Sequence, residues 1–302
     1  MMHNIVEISK LSRNFQATKA LDNISLELDT GKVYGLVGEN GAGKSTLIKH
    51  IIGALQPQIG SVKVFGKSPA QYPVEVLSKI GYLSEERDLP MWMRAREFMD
   101  HTEAFFPDWD MGLACDLMQK FHIDPKLKIK NMSRGQKART GLIAAVSHRP
   151  ELLVLDEPSS GLDVMARYDI LSEVVNTAAS SRSTILFSSH LLDEVERVTD
   201  DIIMIHQGKI ILTGHVDAIK SRNNRYLTAL DSENEKVEEY LKTGKNIIRA
   251  VRKDGEWLLV TPLSHDAFAA EMKALGGTIT EKLPCSLENV FIDHCSLENH
   301  HE

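Results

Sequence analysis

The sequence is poor in cysteine and has no long apolar run. Its three cysteines are odd in number and irregularly spaced, which argues against a disulfide framework and favours a reducing compartment. No uncharged apolar stretch approaches the ~18 residues that a membrane-spanning helix needs. The first residues, MMHNIVEISK, lack the basic and apolar regions of a secretory signal. These absences predict a soluble, intracellular protein.

The chain also lacks an excess of positive charge. It carries 35 Lys and Arg against 42 Asp and Glu, a formal net charge of −7. A general nucleic-acid binder is usually basic, so this balance argues against one. The composition, 42% hydrophobic and 25% charged over 302 residues, is that of a globular protein. The length predicts about two domains, or one large domain with an appendage.

What is present is a pattern of short apolar strands that lead into polar residues. The run 33–37 stops at a glycine, and residues 47–55 then follow a helical period. Strand candidates at 152–155 and 184–187 also precede polar residues. Such residues occupy the carboxyl ends of strands in an open α/β sheet, where ligands bind. The pattern therefore predicts a ligand site at one edge of a parallel sheet.

The pattern changes near residue 219, after a hairpin predicted from residues 202–205 and 210–212. We expect one domain over residues 1–218 and a small α+β domain over residues 219–302. In the second domain we predict strands at 226–231, 246–252, 256–261 and 278–283, helices at 234–242 and 265–275, and a last short helix.

The strongest motif is a glycine-rich loop of the form G-x-x-x-x-G-K-S between the first apolar strand and its helix. Its residues are Gly38, Glu39, Asn40, Gly41, Ala42, Gly43, Lys44 and Ser45, followed by Thr46. Glycines let successive N–H groups and the helix N-terminus point at phosphate oxygens. Lys44 then reaches the β- and γ-phosphates, and the Ser45 hydroxyl ligates Mg²⁺. The alternative, a glycine-rich turn with an incidental lysine, leaves the flanking strand and helix unexplained.

Two further motifs are weaker by themselves. Asp156 and Glu157 follow an apolar strand, where Asp156 would hold Mg²⁺ through water and Glu157 would activate the attacking water. A strand followed by a solvated turn is the alternative. Ser133 and Gln136 form a capping-box pattern before a helix that runs to about residue 147. Such a helix start can bind an anion, but the spacing alone favours an ordinary cap.

Five segments occur in an order and spacing that resemble the ATPase subunits of ABC transporters. They are GENGAGKST at 38–46, MSRGQ at 132–136, LLVLDEP at 152–158, SSGLD at 159–163 and SSH at 188–190. The resemblance covers roughly residues 3–218 and is nearest to the ATPases of bacterial ABC-2 type exporters, whose C-terminal appendage often ends like residues 286–291. It implies an α/β fold, a P-loop NTPase of ABC ATPase type, with a helical subdomain inserted at about 86–147.

The resemblance assigns further residues to the nucleotide. Ser133, Gly135 and Gln136 would contact the γ-phosphate held by the phosphate loop of an opposite subunit. Asp163 would lie at the subunit boundary and couple the two sites. His190 would hydrogen-bond the γ-phosphate and position the water. A lone histidine after a strand is usually structural. The functional role of His190 is supported by the other motifs, which occur in the order typical of the family.

Three positions differ from the usual pattern of the family. Phe15 falls where the family stacks an aromatic ring on adenine; tyrosine is commoner there, and a core aromatic is the alternative. Glu85 stands where the family usually has glutamine near the Mg²⁺ and the water, so its carboxylate either ligates the metal or opposes assembly. Arg134 replaces the usual second-position glycine of the signature. Because Ser133 and Gly135 are kept, we interpret Arg134 as a tolerated variant. Neither Glu85 nor Arg134 removes the base or the lysine, so we expect hydrolysis.

The resemblance implies a subunit that binds ATP and Mg²⁺ and powers an exporter through nucleotide-driven dimerisation. Its partners would be separately encoded transmembrane permease subunits and either a second copy of this chain or a paralogous ATPase. It would be cytoplasmic, on the inner face of the cell membrane, with no nucleic acid expected. The alternative is a soluble ABC-type ATPase acting on ribosomes or nucleic acid, which usually has two ATPase halves or a long coiled coil. A G protein would need an Asn-Lys-x-Asp motif, which the sequence lacks.

Two groups of residues remain outside these motifs. The aromatic and Met-rich segment after Glu86 is either core or a docking groove, and Met91 and Trp92 are the better candidates for a contact surface. The C-terminal residues that invite a metal site are Cys285, His294, Cys295, His300 and His301. Their spacing matches no zinc pattern, so we expect no metal there.

Overall fold

The computed structural model describes residues 4–86, 88–181, 183–231, 235–243, 246–253 and 255–295. The chain divides into two units, residues 1–213 and 214–302. The boundary predicted at 218/219 lies inside a helix of the second unit, Val216–Ser221. Within the described part of the chain, no helix combines the length and the apolar character needed to cross a membrane.

The first unit combines strands and helices in alternation. Its strands are β1 (Asn4–Phe15), β2 (Thr18–Asp29), β3 (Val33–Val37), β4 (Ile59–Val64), β5 (Ile80–Leu83), β6 (Leu152–Leu155), β7 (Thr184–Ser189), β8 (Asp201–His206) and β9 (Lys209–His215). Its helices are α1 (Lys44–Ile51), α2 (Pro73–Leu77), α3 (Ala95–Glu103), α4 (Met111–Lys120), α5 (Arg134–Val146), α6 (Val164–Ser181) and α7 (Leu192–Val198). A 3-10 turn spans Ile129–Asn131.

A six-stranded sheet of order β5-β6-β7-β3-β8-β9 forms the centre of this unit. The strands from β5 to β8 in that order are all parallel. Every residue of β3, β6 and β7 is buried, which explains the apolar runs within these strands, because a strand covered on both faces has no solvent-facing side. Their carboxyl ends share one edge of the sheet. This edge brings together the segments 38–46, 156–157 and 188–190.

A three-stranded antiparallel sheet of order β2-β1-β4 and helix α1 pack with the parallel sheet in one hydrophobic core. Helix α1 begins at Lys44 and ends at Ile51, earlier than the predicted 55, because Gly53 turns the chain with a left-handed φ of 75°. The predicted hairpin is confirmed: β8 and β9 are joined by Gln207 and Gly208, both with positive φ, as a type I′ turn requires.

Residues 88–147 contain α3, α4, the 3-10 turn and α5. Asp110 caps α4 by accepting a hydrogen bond from the Leu113 N–H at 2.9 Å. Helix α5 packs against α4, β5 and α6, and its buried side chains include Ala138, Leu142, Ile143 and Val146. The start of α5 is therefore fixed against the sheet and against α6.

The second unit is a small α+β domain. Its elements are α8 (Val216–Ser221), β10 (Asn224–Ala229), α9 (Glu235–Thr243), β11 (Arg249–Lys253), β12 (Glu256–Thr261), α10 (His265–Ala274), β13 (Thr278–Leu283) and α11 (Leu287–Cys295). The antiparallel sheet has the order β11-β12-β10-β13. The succession βαββαβ from β10 to β13 in this order is the ferredoxin-like split βαβ arrangement. The predicted strands and helices fall on these elements, with ends displaced by up to three residues.

Candidate nucleotide-binding site

The glycine-rich loop leaves β3 at Val37 and enters α1 at Lys44. A Cβ atom at Gly38 would lie 2.2 Å from the carbonyl oxygen of Ile205, so no larger residue fits there. Gly43 has a φ of 111°, and a Cβ atom on it would lie 2.6 Å from the carbonyl oxygen of Ala20. Both glycines are therefore required by close backbone approach and, at Gly43, by a left-handed backbone.

Lys44 is buried inside this loop. Its ammonium donates hydrogen bonds to the carbonyl oxygens of Gly38 at 2.8 Å and Glu39 at 3.2 Å, and lies 3.1 Å from the Glu157 Oε1 atom. A buried ammonium needs such partners, because an isolated charge away from water is costly. Phosphate oxygens can take the place of these acceptors. The lysine is thus held at the point that a phosphate would occupy.

Asp156 follows β6 and is buried at the edge of the sheet. Its Oδ1 atom accepts hydrogen bonds from the Ser188 hydroxyl at 2.7 Å and from the Ser45 hydroxyl at 3.2 Å. A hydroxyl and a carboxylate in contact suit Mg²⁺, which prefers oxygen ligands and takes the rest from water and substrate phosphates. The predicted pair of Ser45 and Asp156 is therefore adjacent and fits the metal.

Glu157 and His190 form a second contact pair. The Glu157 Oε2 atom lies 2.8 Å from the His190 Nδ1 atom, while its backbone N–H donates to the Ser188 hydroxyl at 2.9 Å. Glu157 has a φ of 47°, a left-handed conformation that is uncommon for a glutamate. Its side chain leaves the strand in a different direction from Asp156 because of this turn. Its carboxylate is only 4% exposed and contacts both Lys44 and His190.

Glu85 lies after β5 beside the same edge. It lines a cleft of about 520 Å³ with Ser45 and Asp156, and a smaller one of about 300 Å³ with the glycine-rich loop and Glu157. Burial raises the pKa of Tyr82, in the first cleft, to about 12, and the negative charge of Asp156 adds to this shift. The Tyr82 phenol therefore stays protonated near neutral pH and is available as a hydrogen-bond donor.

The start of α5 forms the capping box predicted from the sequence. The Ser133 hydroxyl accepts a bond from the Gln136 N–H at 3.2 Å, and the Gln136 Oε1 atom accepts one from the Ser133 N–H at 3.0 Å. A Cβ atom on Gly135 would lie 3.7 Å from the Asp163 Oδ2 atom, so the signature start adjoins Asp163 of the same chain. Asp163 also accepts a bond from the Ala166 N–H at 2.9 Å, which caps α6. The Ser133 hydroxyl remains exposed.

The signature start and the phosphate loop are separate in one chain. No hydrogen bond or ion pair between them occurs in the ranges that the structure describes. Arg134 is exposed and lines a cleft with Glu85, Lys137 and Gly161 instead. The structure thus assembles Lys44, Ser45, Asp156, Glu157 and His190, whereas Ser133, Gly135 and Gln136 make no hydrogen bond or ion pair to them within the described residues.

Phe15 ends β1 at a hairpin tip and is 44% exposed, so it is not a core residue. The Arg13 guanidinium carbon lies 4.8 Å from its ring centroid. No sequence pattern pointed to Arg13, because the two residues become neighbours only through the strand conformation. Ser188 belongs to the recognised SSH segment, but its hydrogen bonds to Asp156 and to the backbone of Glu157 require the parallel pairing of strands to be seen.

The residues outside the main motifs divide between core and surface. Trp92 is 72% exposed and Met91 is 43% exposed, whereas Met99 is fully buried. The His294 Nε2 atom donates a hydrogen bond to the Asn223 Oδ1 atom at 2.9 Å. His300 and His301 lie outside the described residues.

Comparison with known proteins agrees with this geometry. The family described as "ABC transporter" matches residues 21–160. The chain is 30% identical over 228 residues to "Bacitracin transport ATP-binding protein BcrA" of Bacillus licheniformis, covering 75% of this chain and 74% of the relative. It is 26% identical over 289 residues to "ABC transporter ATP-binding protein YtrB" of Bacillus subtilis (strain 168), covering 95% and 97%.

Solved structures share the architecture. An "ATP binding subunit of ABC transporter" aligns with a TM-score of 0.67 and 28% identity over 72% of this chain and 92% of that one. A dimeric ATP-binding cassette, MJ0796, bound to ADP and Pi, aligns with a TM-score of 0.63 over 70% and 98%; its 18% identity indicates the fold alone. The chain belongs to the ABC transporter ATP-binding proteins, which hydrolyse ATP on a P-loop NTPase fold.

Proposed function

We propose that this chain is the ATPase subunit of a membrane exporter and acts as a nucleotide-bridged dimer with Mg²⁺ at each site. A relative named for bacitracin transport supports a role in transport. The net charge of −7 argues against a nucleic-acid substrate. The partners are separately encoded transmembrane subunits, met at the inner face of the cell membrane, and a second copy of this chain or a paralogous ATPase.

The observation that carries the dimer is that the signature start makes no hydrogen bond or ion pair to the phosphate loop within the described residues. Glu157 contacts both Lys44 and His190, whereas Ser133 is exposed. An exposed hydroxyl at a helix N-terminus is suited to a phosphate that another chain holds. Two chains related by a two-fold axis would complete two equivalent sites. ATP would then be the ligand that both chains share.

The Lys44–Glu157 ion pair supports an order of events in which phosphate binding to Lys44 comes before Glu157 acts as a base. Phosphates carry more negative charge than one carboxylate, so they compete for the Lys44 ammonium. Once Lys44 binds phosphate, the Glu157 Oε1 atom loses its 3.1 Å partner and can accept the proton of a water. His190, 2.8 Å from the other carboxylate oxygen, keeps Glu157 in place and orients the water.

Ser45 and Asp156 would hold Mg²⁺ beside the phosphates. The ion would supply charge neutralisation at the phosphate oxygens. The Ser188 hydroxyl fixes the Asp156 carboxylate and the Glu157 backbone with one group, at 2.7 and 2.9 Å. It therefore sets the relative position of the metal-binding residue and of the base.

Nucleotide-dependent assembly tests this proposal. Glu157→Gln protein, which binds ATP but hydrolyses it slowly, should sediment as a monomer alone and as a dimer with ATP and Mg²⁺. ADP with Mg²⁺ is the matched ligand control and should leave the monomer. Adding Ser133→Arg should prevent the dimer, because its bulk and charge occupy the surface that the γ-phosphate needs.

A wild-type monomer that hydrolyses ATP at a rate independent of protein concentration would contradict the shared site. The transport role is tested separately by membrane association. The chain should move to the membrane fraction when it is co-expressed with its permease, and remain outside that fraction when the permease is absent.

A further inference from the structure

A buried carboxylate outside the motifs lies close to the reaction centre. Glu194 is in the first turn of α7, four residues after His190, and is 3% exposed. Its Oε2 atom accepts a hydrogen bond from the Ser159 hydroxyl at 2.5 Å, and its Oε1 atom lies 3.0 Å from the Arg167 Nε atom. A carboxylate removed from water needs such a donor and a cation. These contacts join α7 to two points outside it, namely Ser159, which precedes α6, and Arg167, which lies on α6.

These two points lie on either side of Asp163. Ser159 precedes Asp163 by four residues, and Arg167 follows it by four. The Arg167 N–H also donates to the Asp163 carbonyl at 3.0 Å, in the first turn of α6. Gly161, between Ser159 and Asp163, turns the chain with a φ of 67°. One carboxylate of α7 therefore holds both ends of the segment that carries Asp163.

The same carboxylate is linked to the base. Glu157 precedes Ser159 by two residues, and its Oε2 atom lies 2.8 Å from the His190 Nδ1 atom. The segments 157–159 and 190–194 are thus joined by two side-chain hydrogen bonds, one at His190 and one at Glu194. We therefore expect a displacement of Ser159 to change the separation of Glu157 from His190.

We propose that Glu194 is a positioning residue that ties Asp163 to the Glu157–His190 pair. Contact of Asp163 with a second subunit then sets the geometry of the base and of the histidine in its own chain. This inference rests on the proposed function, since the subunit boundary at Asp163 belongs to the proposed dimer. Through its contacts with Ser159 and Arg167, Glu194 links the position of the segment that carries Asp163 to that of α7.

The test compares two buried glutamates. Glu194→Gln removes the charge opposite Arg167, and Glu173→Gln is the matched control, because Glu173 is a buried glutamate on α6 that pairs with Lys120 at 2.7 Å. We expect Glu194→Gln to lower kcat by about tenfold with an unchanged KM for ATP. Glu173→Gln should keep kcat within about twofold, with a similar fall in the unfolding temperature.

Ser159→Ala provides a second variant that removes only a hydroxyl and leaves the carboxylate. It should also lower kcat without changing KM. In the double variant the loss should be smaller than the product of the two single losses, because both changes break the same contact. Such coupling is not expected from two independent losses of stability.

Wild-type kcat in both Glu194→Gln and Ser159→Ala would overturn the positioning role, and so would an equal loss in Glu173→Gln. If Glu194→Gln does not fold, Ser159→Ala decides by itself. The ATP-dependent dimer of Glu157→Gln separates this result from the proposed function. Absence of that dimer contradicts the proposed function, whereas a normal dimer with wild-type kcat in these variants contradicts only the role of Glu194.

Discussion

Both units contain buried ionic groups, but the residues around these groups differ between the two units. In the first unit Lys44, Asp156 and Glu157 lie where a parallel sheet meets a glycine-rich loop, and clefts open onto them. In the second unit Asp293 is 0% exposed and is held by Arg249 at 2.8 Å and Arg225 at 3.2 Å. The partners of Lys44 are acceptors that a phosphate can replace, whereas the partners of Asp293 are fixed cations.

This difference shows that burial of a charged side chain does not by itself indicate a reactive site. The Asp293 cluster joins α11 to β10 and β11, which is a structural task. The Lys44 cluster lies at strand ends, where side chains from separate segments converge on a ligand-binding edge. Substitutions in the first unit should therefore change chemistry, and substitutions at Asp293 should change stability.

The largest effect is expected at Glu157. Glu157→Gln keeps the size of the side chain but removes the base, so kcat should fall by about 10²–10⁴-fold while ATP binding persists. Steady-state hydrolysis and nucleotide titration measure the two quantities. Glu103→Gln, which changes an exposed carboxylate on α3 outside the site, is the control and should keep the wild-type rate. Hydrolysis at the wild-type rate in Glu157→Gln would place the base elsewhere.

Lys44→Ala should weaken ATP binding by about 100-fold or more, because it removes the charged hydrogen bonds to the β- and γ-phosphates. Fluorescent-nucleotide titration measures the affinity. Lys63→Ala, which removes an exposed lysine from β4, should bind ATP as the wild type does. Unchanged affinity in Lys44→Ala would contradict the assignment of the phosphate loop.

Asp293→Ala should act on the second unit alone. Removing the fully buried carboxylate leaves two partly buried arginines without their counter-charge, which costs about 3–5 kcal/mol of unfolding free energy. Hydrogen exchange should show lost protection within residues 214–295 and little change in residues 4–213. ATP hydrolysis at a temperature where the protein remains folded should keep its kcat. A loss of kcat without loss of protection would show that the cluster serves the reaction.

Glu85→Gln should have the smallest effect, with kcat within about threefold of wild type, because an exposed charge is screened by water. The half-saturating Mg²⁺ concentration is measured in the same assay. Glu86→Gln, the neighbouring exposed carboxylate, is the control. Loss of turnover, or a large rise in the Mg²⁺ requirement confined to Glu85→Gln, would make Glu85 a metal ligand.

The sequence alone predicts those parts of the site whose residues lie within one short segment. The glycine-rich loop, the Asp156–Glu157 pair and the capping box at Ser133 each lie within a few residues, and local patterns predict them. The contacts of Ser188 and Glu194 join residues about 30 apart in sequence, so they depend on strand pairing and helix packing. The left-handed backbone of Glu157 is imposed by this packing, since glutamate does not itself favour that conformation.

The ion pair between Lys44 and Glu157 also bears on the choice between nucleotides. Every nucleotide that enters the loop must compete with a carboxylate already attached to the same chain, at a local concentration that dilution does not lower. A triphosphate offers Lys44 both a β- and a γ-phosphate, whereas a diphosphate offers the β-phosphate alone, so the triphosphate competes better with this carboxylate. We therefore expect the ion pair to favour binding of ATP over ADP.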